Sequence, residues 1–523
     1  MTAETTTDTT TKTTAESTAR TPGTGTPGID PGTTNGPRAD TSTASAARPE
    51  DGRPPRPDRL SRRDALVLFV LCAAQFMVAL DFSVLNVALP VLGRDLGMSP
   101  SALQWAVTAF ALPSGGFLLL FGRIGDLFGR RRLFLAGLTV FGTASLLATF
   151  AWDPASFLAG RALQGLGAAA IVPTGMSLLT TTFPEGPARD RALGISGTLL
   201  SLGFTVGMVA GGVLTDVLSW RSTMGLLSLF ALVVLPLATG LLPSSGPRHT
   251  DAAGAGAPDR PRLDIPGAVT VTGGLLALIY ALSTAADRGF GGADVVTTLA
   301  LGVLLLGAFV RIESRADAPL VSLRMLRRRT VAWGNLGGLV TFSMMSTVVF
   351  ALTLYLQETL GLSAFETGLV FGAQGALSAV AGMYAPKVIG RFGARRTLAG
   401  SLAGQGLFVA GMLLLNAHTW SVWIATAGVS LASMFHLGAI ISYGLTVTSG
   451  VPDEEQGLAT GLVTSTQQVG ITVGIPLLGV LATTSDDLLA GVHTVLALDA
   501  AIVLAAAALV AVGLGRQGAA RTR

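Results

Sequence analysis

The chain has 523 residues, of which 50% are hydrophobic and only 13% charged, and its formal net charge is +4 at pH 7. Soluble domains usually carry about 25% charged residues, so this composition and the mean hydropathy of +0.60 indicate a membrane protein with many spans. The positive charges lie between apolar runs and not on one amphipathic face, which argues against nucleic-acid binding. A single cysteine, Cys72, excludes a disulfide framework and a cysteine metal site.

Residues 1–60 are rich in Thr, Pro, Gly, Ala and Ser and contain almost no large apolar residues. This composition predicts a disordered N-terminal tail. The tail lacks the apolar core of a secretory signal, so we expect the first membrane helix to direct insertion. Arg59, Arg62 and Arg63 precede that helix and place the tail in the cytoplasm.

Fourteen apolar runs follow the tail, each about long enough to cross a bilayer as a helix. Loops that are expected inside hold most of the arginines, whereas those expected outside hold only Arg94, Arg221 and Arg288. This asymmetry predicts fourteen spans in the plasma membrane, with both termini in the cytoplasm. The runs lie at about 64–92, 101–121, 131–151, 154–182, 188–214, 221–243, 265–284, 293–311, 331–356, 366–389, 396–416, 419–449, 456–483 and 492–514.

The chain also contains an internal repeat. The segment 390–396 has the pattern of 126–132, with Phe-Gly in register, but lies eight helices later. That displacement fits two six-helix bundles with two extra helices between them, and internal repeats are the usual build of secondary transporters. The predicted domains are an N-terminal bundle at 61–243, a cytoplasmic linker at 244–263, two inserted helices and a loop at 264–330, a C-terminal bundle at 331–515, and a cytoplasmic tail at 516–523.

A charged, glycine-punctuated link joins the second and third runs, and its position predicts a short turn at the cytoplasmic surface. It has the spacing G-x-x-G-D-x-x-G-R-R, which resembles the loop between the second and third helices of major facilitator superfamily transporters. The resemblance implies that the link takes part in switching between conformations. An arginine-rich turn is also what topology alone requires, and Leu127 stands where the family often has Arg. The residues concerned are Gly122, Asp126, Gly129, Arg130 and Arg131.

Two further stretches resemble the fourteen-helix drug:proton antiporter branch of that superfamily. They are Asp264-Ile265-Pro266-Gly267, at the start of the seventh run, and Leu80–Pro90, in the first. The resemblance covers nearly all of the chain after residue 60. It implies an all-α major facilitator fold, a small-molecule substrate, and the proton as coupling ion without any other cofactor. We expect a monomer.

Asp81 and Arg161 are lone charges inside apolar runs. Such charges are costly unless they face a cavity or a partner, so they are functional candidates. Arg161 and Gln164 belong to an R-x-x-Q-G-x-G pattern that resembles the family's motif B, to which proton coupling is attributed. A carboxylate can change its charge and a guanidinium cannot, so we expect Asp81 to accept the proton and Arg161 to tune it. The alternatives are that Asp81 anchors its helix in the outer headgroup zone and that Arg161 is structural.

The fifth run resembles the family's motif C, which is associated with exporters. Its glycines are expected to bring the helix close to a neighbour. The nine-residue step from Gly194 to Gly203 and the four-residue steps to Gly207 and Gly211 are expected to put these four near one face. Met208 replaces the proline of that motif, which leaves a tight helix interface as the alternative. The glycines are Gly194, Gly203, Gly207, Gly211 and Gly212.

Other polar residues in apolar runs give weaker signals. Asn86, Gln467 and Gln468 are expected to line a cavity. His436 is a possible proton carrier, although a lone helix histidine is more often structural, and Asp499 is expected at the membrane interface because it lies near the start of the last run.

The sequence therefore predicts an exporter of amphipathic small molecules driven by proton antiport. An exporter or importer of one endogenous metabolite is the alternative. The sequence contains no metal-ligand cluster and no G-x-x-x-x-G-K-[ST] phosphate loop, which argues against an enzyme. Its loops are too short for a signalling receptor.

Overall fold

The structure is a computed structural model that describes residues 61–183, 186–242, 264–289, 291–316, 323–451, 456–483 and 487–515. Every regular element of these residues is a helix. The tail predicted at 1–60, the linker at 244–263 and the tail at 516–523 lie outside the described residues.

The helices fall into two sets separated by a pair. The first set is α1 (Arg62–Asp95), α2 (Pro100–Gly116), α3 (Leu118–Phe128), α4 (Arg130–Thr149), α5 (Pro154–Thr182), α6 (Pro187–Val217) and α7 (Trp220–Leu241). The pair is α8 (Ile265–Arg288) and α9 (Ala293–Glu313), followed by the short α10 (Leu323–Leu326). The second set is α11 (Arg329–Leu354), α12 (Ala364–Phe392), α13 (Ala394–Gly411), α14 (Ser421–Thr448), α15 (Gln456–Gly474), α16 (Val480–Thr483) and α17 (Leu488–Gly515), with π-helical turns at Tyr355–Thr359 and Ile475–Gly479.

Twelve helices of the described residues are long and apolar enough to cross a membrane. The count reaches thirteen if α2 and α3, which meet at 43°, form one bent span. The predicted run at 456–483 holds α15, a π-helical turn and α16, and it is not among these helices. The chain is therefore a multi-pass helical membrane protein, while the count of fourteen spans stays a prediction.

The two sets of helices pack in the same way, as the internal repeat predicts. In the first set α1 packs on α6 and α7, α5 on α2 and α4, and α4 on α7. In the second set α11 packs on α15 and α17, α14 on α12 and α13, and α13 on α17. Each set is thus one bundle, and the second bundle repeats the packing order of the first. The α8–α9 hairpin lies outside this pattern and packs through α8 against α2 and α3.

The link between the second and third runs is shorter than the sequence predicts. Residues 122–128 continue α3 and α4 begins at Arg130, so the short turn predicted between the two runs is confined to Gly129. Gly125 lies inside α3. A Cβ atom there would come within 2.9 Å of the Thr174 methyl group on α5, so the missing side chain permits the close approach of the two helices. Only Gly129 turns the chain, at φ +104°, and Gly393 does the same between α12 and α13 at φ +80°. These left-handed values favour glycine.

The pair α8–α9 starts with a helix cap. The Asp264 side chain accepts a hydrogen bond from the Gly267 backbone N–H at 2.9 Å, which satisfies one of the free donors at a helix start. Pro266 occupies the first turn, where its missing N–H is not needed. The Asp-x-Pro-Gly stretch that identified this position in the sequence is therefore a helix-starting signal.

Candidate functional site

The structure brings Asp81 of α1 and Arg161 of α5 together in the middle of the N-terminal bundle. Arg161 Nη1 lies 2.7 Å from Asp81 Oδ1 and 2.8 Å from Oδ2, and both side chains are 0% exposed. A fully buried ion pair of this kind needs good geometry and further hydrogen bonds to offset its desolvation. The expectation that Asp81 anchors α1 in the headgroup zone does not fit this position.

Neutral groups accept the other hydrogen bonds of Arg161, whose Nη2 has no partner among the described residues. Its Nη1 also donates to Gln164 Oε1 at 2.8 Å, and its Nε donates to the Ala106 carbonyl oxygen at 3.1 Å. The Gln164 amide is held in turn, since its Nε2 donates to Ser145 Oγ on α4 at 2.8 Å. Arg161 therefore contacts three acceptors of which only one, Asp81, carries a charge.

Glycines next to Arg161 set the distances between the helices around it. A Cβ atom on Gly165 would overlap the Phe110 carbonyl oxygen of α2. A Cβ atom on Gly167 would lie 2.8 Å from the Phe141 backbone nitrogen of α4. The R-x-x-Q-G-x-G pattern thus supplies both the charge and the close approach of α2 and α4 that surrounds it with partners.

A cavity lies beside the ion pair, between the two bundles. Phe110 forms part of its wall, and the Arg161 guanidinium carbon lies 4.5 Å from the centre of the Phe110 ring. Gln467 and Gln468 of α15 line the cavity. Asn86 does not, because it is buried and donates to the Phe82 carbonyl oxygen of its own helix at 2.7 Å.

The glycines of α6 do not share one face. Gly207 meets α1, where a Cβ atom would overlap the Ser83 hydroxyl group, and Gly203 and Gly211 lie on the same side. Gly212 faces the start of α12, and a Cβ atom on Gly194 would meet nothing within 4 Å. The prediction that Gly194 lies with the others is wrong because nine residues turn a helix by about two and a half turns, which puts Gly194 on the opposite side.

The two bundles touch at the end that the predicted topology places outside. Gln357 Nε2 donates to the Val87 carbonyl oxygen at 2.7 Å, and the Phe365 backbone N–H donates to Asp216 Oδ2 at 2.8 Å. These two hydrogen bonds join the first bundle to the second at this end.

In the C-terminal bundle one residue lies elsewhere than the sequence predicts, and one cluster of polar residues was not predicted. Asp499 is 0% exposed, and neither of its carboxylate oxygens has a hydrogen-bond partner among the described residues. It lies well inside α17, so the expected interfacial position is wrong. His436, Thr341 and Gln405 form a hydrogen-bonded cluster across three helices. No sequence spacing connects residues so far apart along the chain.

The residues of the link between the second and third runs lie where α3 ends and α4 begins. Gly122 and Asp126 belong to α3, Gly129 is the turn, and Arg130 and Arg131 open α4. Arg131 Nη2 donates to the Thr239 carbonyl oxygen near the end of α7 at 2.5 Å. This contact ties the link to the bundle that it belongs to.

Comparison with known proteins identifies the family. The model of the Major Facilitator Superfamily matches residues 71–475 and 336–521. The chain belongs to the Major Facilitator Superfamily.

Curated relatives and solved structures agree with this assignment. The transporter is 38% identical over 421 residues to the cephamycin export protein CmcT of Amycolatopsis lactamdurans, across 79% of this chain and 83% of that protein. It is 38% identical over 420 residues to the puromycin resistance protein pur8 of Streptomyces alboniger, across 80% and 81% of the two chains. The POT family transporter PepTSo shares the fold, with a TM-score of 0.64 at 17% identity over 86% of this chain and 98% of that one.

Proposed function

We propose that this transporter is a secondary active exporter of amphipathic small molecules, such as drugs, antibiotics or secondary metabolites, driven by proton antiport. The observation that carries the proposal is the buried Asp81–Arg161 pair beside the central cavity. We place the protein in the plasma membrane as a monomer with both termini in the cytoplasm, and we assign it movement of the substrate without chemical change.

The ion pair supports proton coupling because its two partners respond differently to a proton. Protonation of Asp81 removes its negative charge, and Arg161 keeps hydrogen bonds to Gln164 and to the Ala106 carbonyl oxygen. The guanidinium is therefore not left without acceptors when the pair separates. A carboxylate whose cationic partner keeps other acceptors can bind a proton without leaving that partner unbonded.

Phe110 supports a link between the proton and the substrate. Its ring lies against Arg161, and Phe110 also lines the cavity. A substrate that presses on this ring shifts the guanidinium and changes the field at Asp81. Antiport requires that the binding of substrate and of proton disfavour each other, so this shift must bring the guanidinium closer to Asp81 and favour the charged carboxylate.

The cavity and the relatives support the substrate class and the direction of transport. The residues that line the cavity carry no charge, and aromatic side chains such as Phe82 and Phe204 lie among amides and hydroxyl groups. This lining suits amphipathic molecules. The names of the two relatives describe export and resistance.

A narrower function has one observation in its favour. The name of the cephamycin relative describes export of a single compound, so an exporter dedicated to one endogenous metabolite is the second candidate. Import of such a metabolite has no support of this kind.

The test is a resistance panel in a pump-deficient host that expresses this transporter or carries the empty vector. Proton-driven export of several compounds predicts lower susceptibility to structurally unrelated amphipathic drugs, and that resistance should vanish with an uncoupler that collapses the proton gradient. Resistance to one compound alone favours the second candidate. Unchanged susceptibility to every compound, with the protein present in the membrane, contradicts export of drugs.

A further inference from the structure

The C-terminal bundle contains a polar cluster at membrane depth that the coupling site in the N-terminal bundle does not use. It consists of Thr341 on α11, Gln405 on α13 and His436 on α14. Thr341 and Gln405 are 0% exposed, whereas His436 is partly exposed. His436 is therefore the least enclosed member of the cluster.

The hydrogen bonds of this cluster fix the orientation of the Gln405 amide. Gln405 Nε2 faces the Thr341 carbonyl oxygen at 3.5 Å, which is an acceptor only. The opposite orientation of the amide would place two carbonyl oxygens against each other. Gln405 Oε1 therefore points at the Thr341 hydroxyl group and accepts its proton at 2.5 Å.

The same chain of bonds fixes the tautomer of His436. A threonine hydroxyl group has one proton, and Thr341 gives it to Gln405. The Thr341 oxygen then accepts at His436, so Nδ1, at 2.8 Å, must carry the hydrogen. In the neutral imidazole Nε2 therefore carries no hydrogen and has a free lone pair. Among the described residues nothing bonds to Nε2, and the Phe342 ring packs edge-on against the imidazole at 5.5 Å.

Among the described residues, no charged side chain forms a hydrogen bond or an ion pair with His436. The helices that pack against α14 are α11, α12, α13 and α15. Their described ionisable side chains lie toward the helix ends, and α15 has none. On α14 itself Tyr443 is committed to the Val463 carbonyl oxygen at 2.6 Å. The ionisable residues of α11, its π-helical extension, α12 and α13 are Arg329, Tyr355, Glu358, Glu366, Tyr384, Lys387, Arg391, Arg395 and Arg396.

We propose that His436 is a second proton-binding site of this transporter, with Thr341 and Gln405 holding its Nδ1–H and leaving Nε2 to take the proton. The proposal rests on proton antiport as the function. When Nε2 binds a proton from the acidic side, the ring becomes an imidazolium whose Nδ1–H still donates to Thr341 and whose Nε2–H has no partner among the described residues. The proton leaves from Nε2 on the opposite side, and no other bond is made or broken.

The tautomer is tested without any transport measurement. The full chain, with ¹⁵N- and ¹³C-labelled histidine, is placed in lipid nanodiscs and examined by NMR, with His436→Gln identifying the signal. We expect neutral His436 to be the Nδ1–H tautomer and to titrate to the imidazolium as the pH falls. Thr341→Val should release the tautomer, and Thr341→Ser should keep it. An Nε2–H tautomer in the parent, or a ring that never titrates, would overturn the proposal.

The second measurement is the limiting accumulation ratio of a neutral substrate in everted vesicles, with the membrane potential clamped. Each coupled proton contributes about a factor of ten to this ratio per unit of pH gradient. His436→Gln should therefore lower the ratio about tenfold at a gradient of one unit.

The control is His493→Gln on α17, whose imidazole lies at the Leu415 carbonyl oxygen, and it should leave the ratio unchanged. If the parent responds to the pH gradient and His436→Gln matches it, the second proton site is wrong while proton antiport stands. If the parent does not respond at all, the proposed function itself fails, and the second site with it.

Discussion

Removal of one member of the Asp81–Arg161 pair should destabilise the transporter far more than removal of both. The pair is completely buried with nitrogen–oxygen distances of 2.7 and 2.8 Å. Loss of one partner strands an uncompensated charge and typically costs about 3–5 kcal/mol, whereas neutral replacement of both is often tolerated. Asp81→Asn leaves the Arg161 charge with Gln164 and a backbone carbonyl only. Arg161→Gln leaves the carboxylate without a cation.

The assay is a double-mutant cycle on the purified protein in detergent, read as the melting temperature of the folded monomer. We expect both single variants to melt well below the parent and the double variant, Asp81→Asn with Arg161→Gln, to recover most of the loss. The coupling free energy between the two sites should then be about 3 kcal/mol or more. If the loss in the double variant equals the sum of the two single losses, the side chains do not interact and the reasoning is refuted.

Three further predictions concern residues outside the pair. Gly207→Ala should lower the melting temperature, because the added methyl group would overlap Ser83 and such overpacking costs about 1–3 kcal/mol of folding free energy. The control is Gly194→Ala, whose methyl group would meet nothing within 4 Å and should leave the melting temperature unchanged. Equal losses in the two variants would contradict the packing. Asp499→Leu should melt at or above the parental temperature, since an unpartnered buried polar group costs roughly 1–3 kcal/mol; a loss as large as that of Asp81→Leu would reveal a partner for Asp499. Asp126→Asn should leave the amount of folded protein normal and reduce transport, and export at the parental rate would leave the α3–α4 link as a topological marker only.

The family and the location of the ion pair could be predicted from sequence because the signals are local. A lone Asp and a lone Arg within apolar runs must find partners at membrane depth, and each run offers few. The Phe-Gly repeat also predicted the two bundles, since a single glycine at positive φ turns the chain at both positions. These inferences need only the identity of a residue and the length of its run.

The remaining features depend on how helices pack, which no single run encodes. Asp499 looked interfacial because the last run was predicted to begin at about 492, whereas α17 begins at Leu488 and buries Asp499 on its packed face. The His436 cluster needs α11, α13 and α14 in register. The link around Gly125 resembled a loop because it is rich in glycine and arginine, yet there the missing side chain permits close contact between α3 and α5.

The central claim, that Asp81 carries the coupled proton, is tested most directly in everted vesicles that contain the parent or Asp81→Asn. Substrate uptake is measured with and without an imposed gradient, acid inside. The parent should accumulate substrate against its concentration. Asp81→Asn should lose that accumulation yet still equilibrate neutral substrate downhill, and Asp81→Glu should keep part of it because its carboxyl group still titrates. Uphill accumulation by Asp81→Asn at the parental level would contradict the assignment.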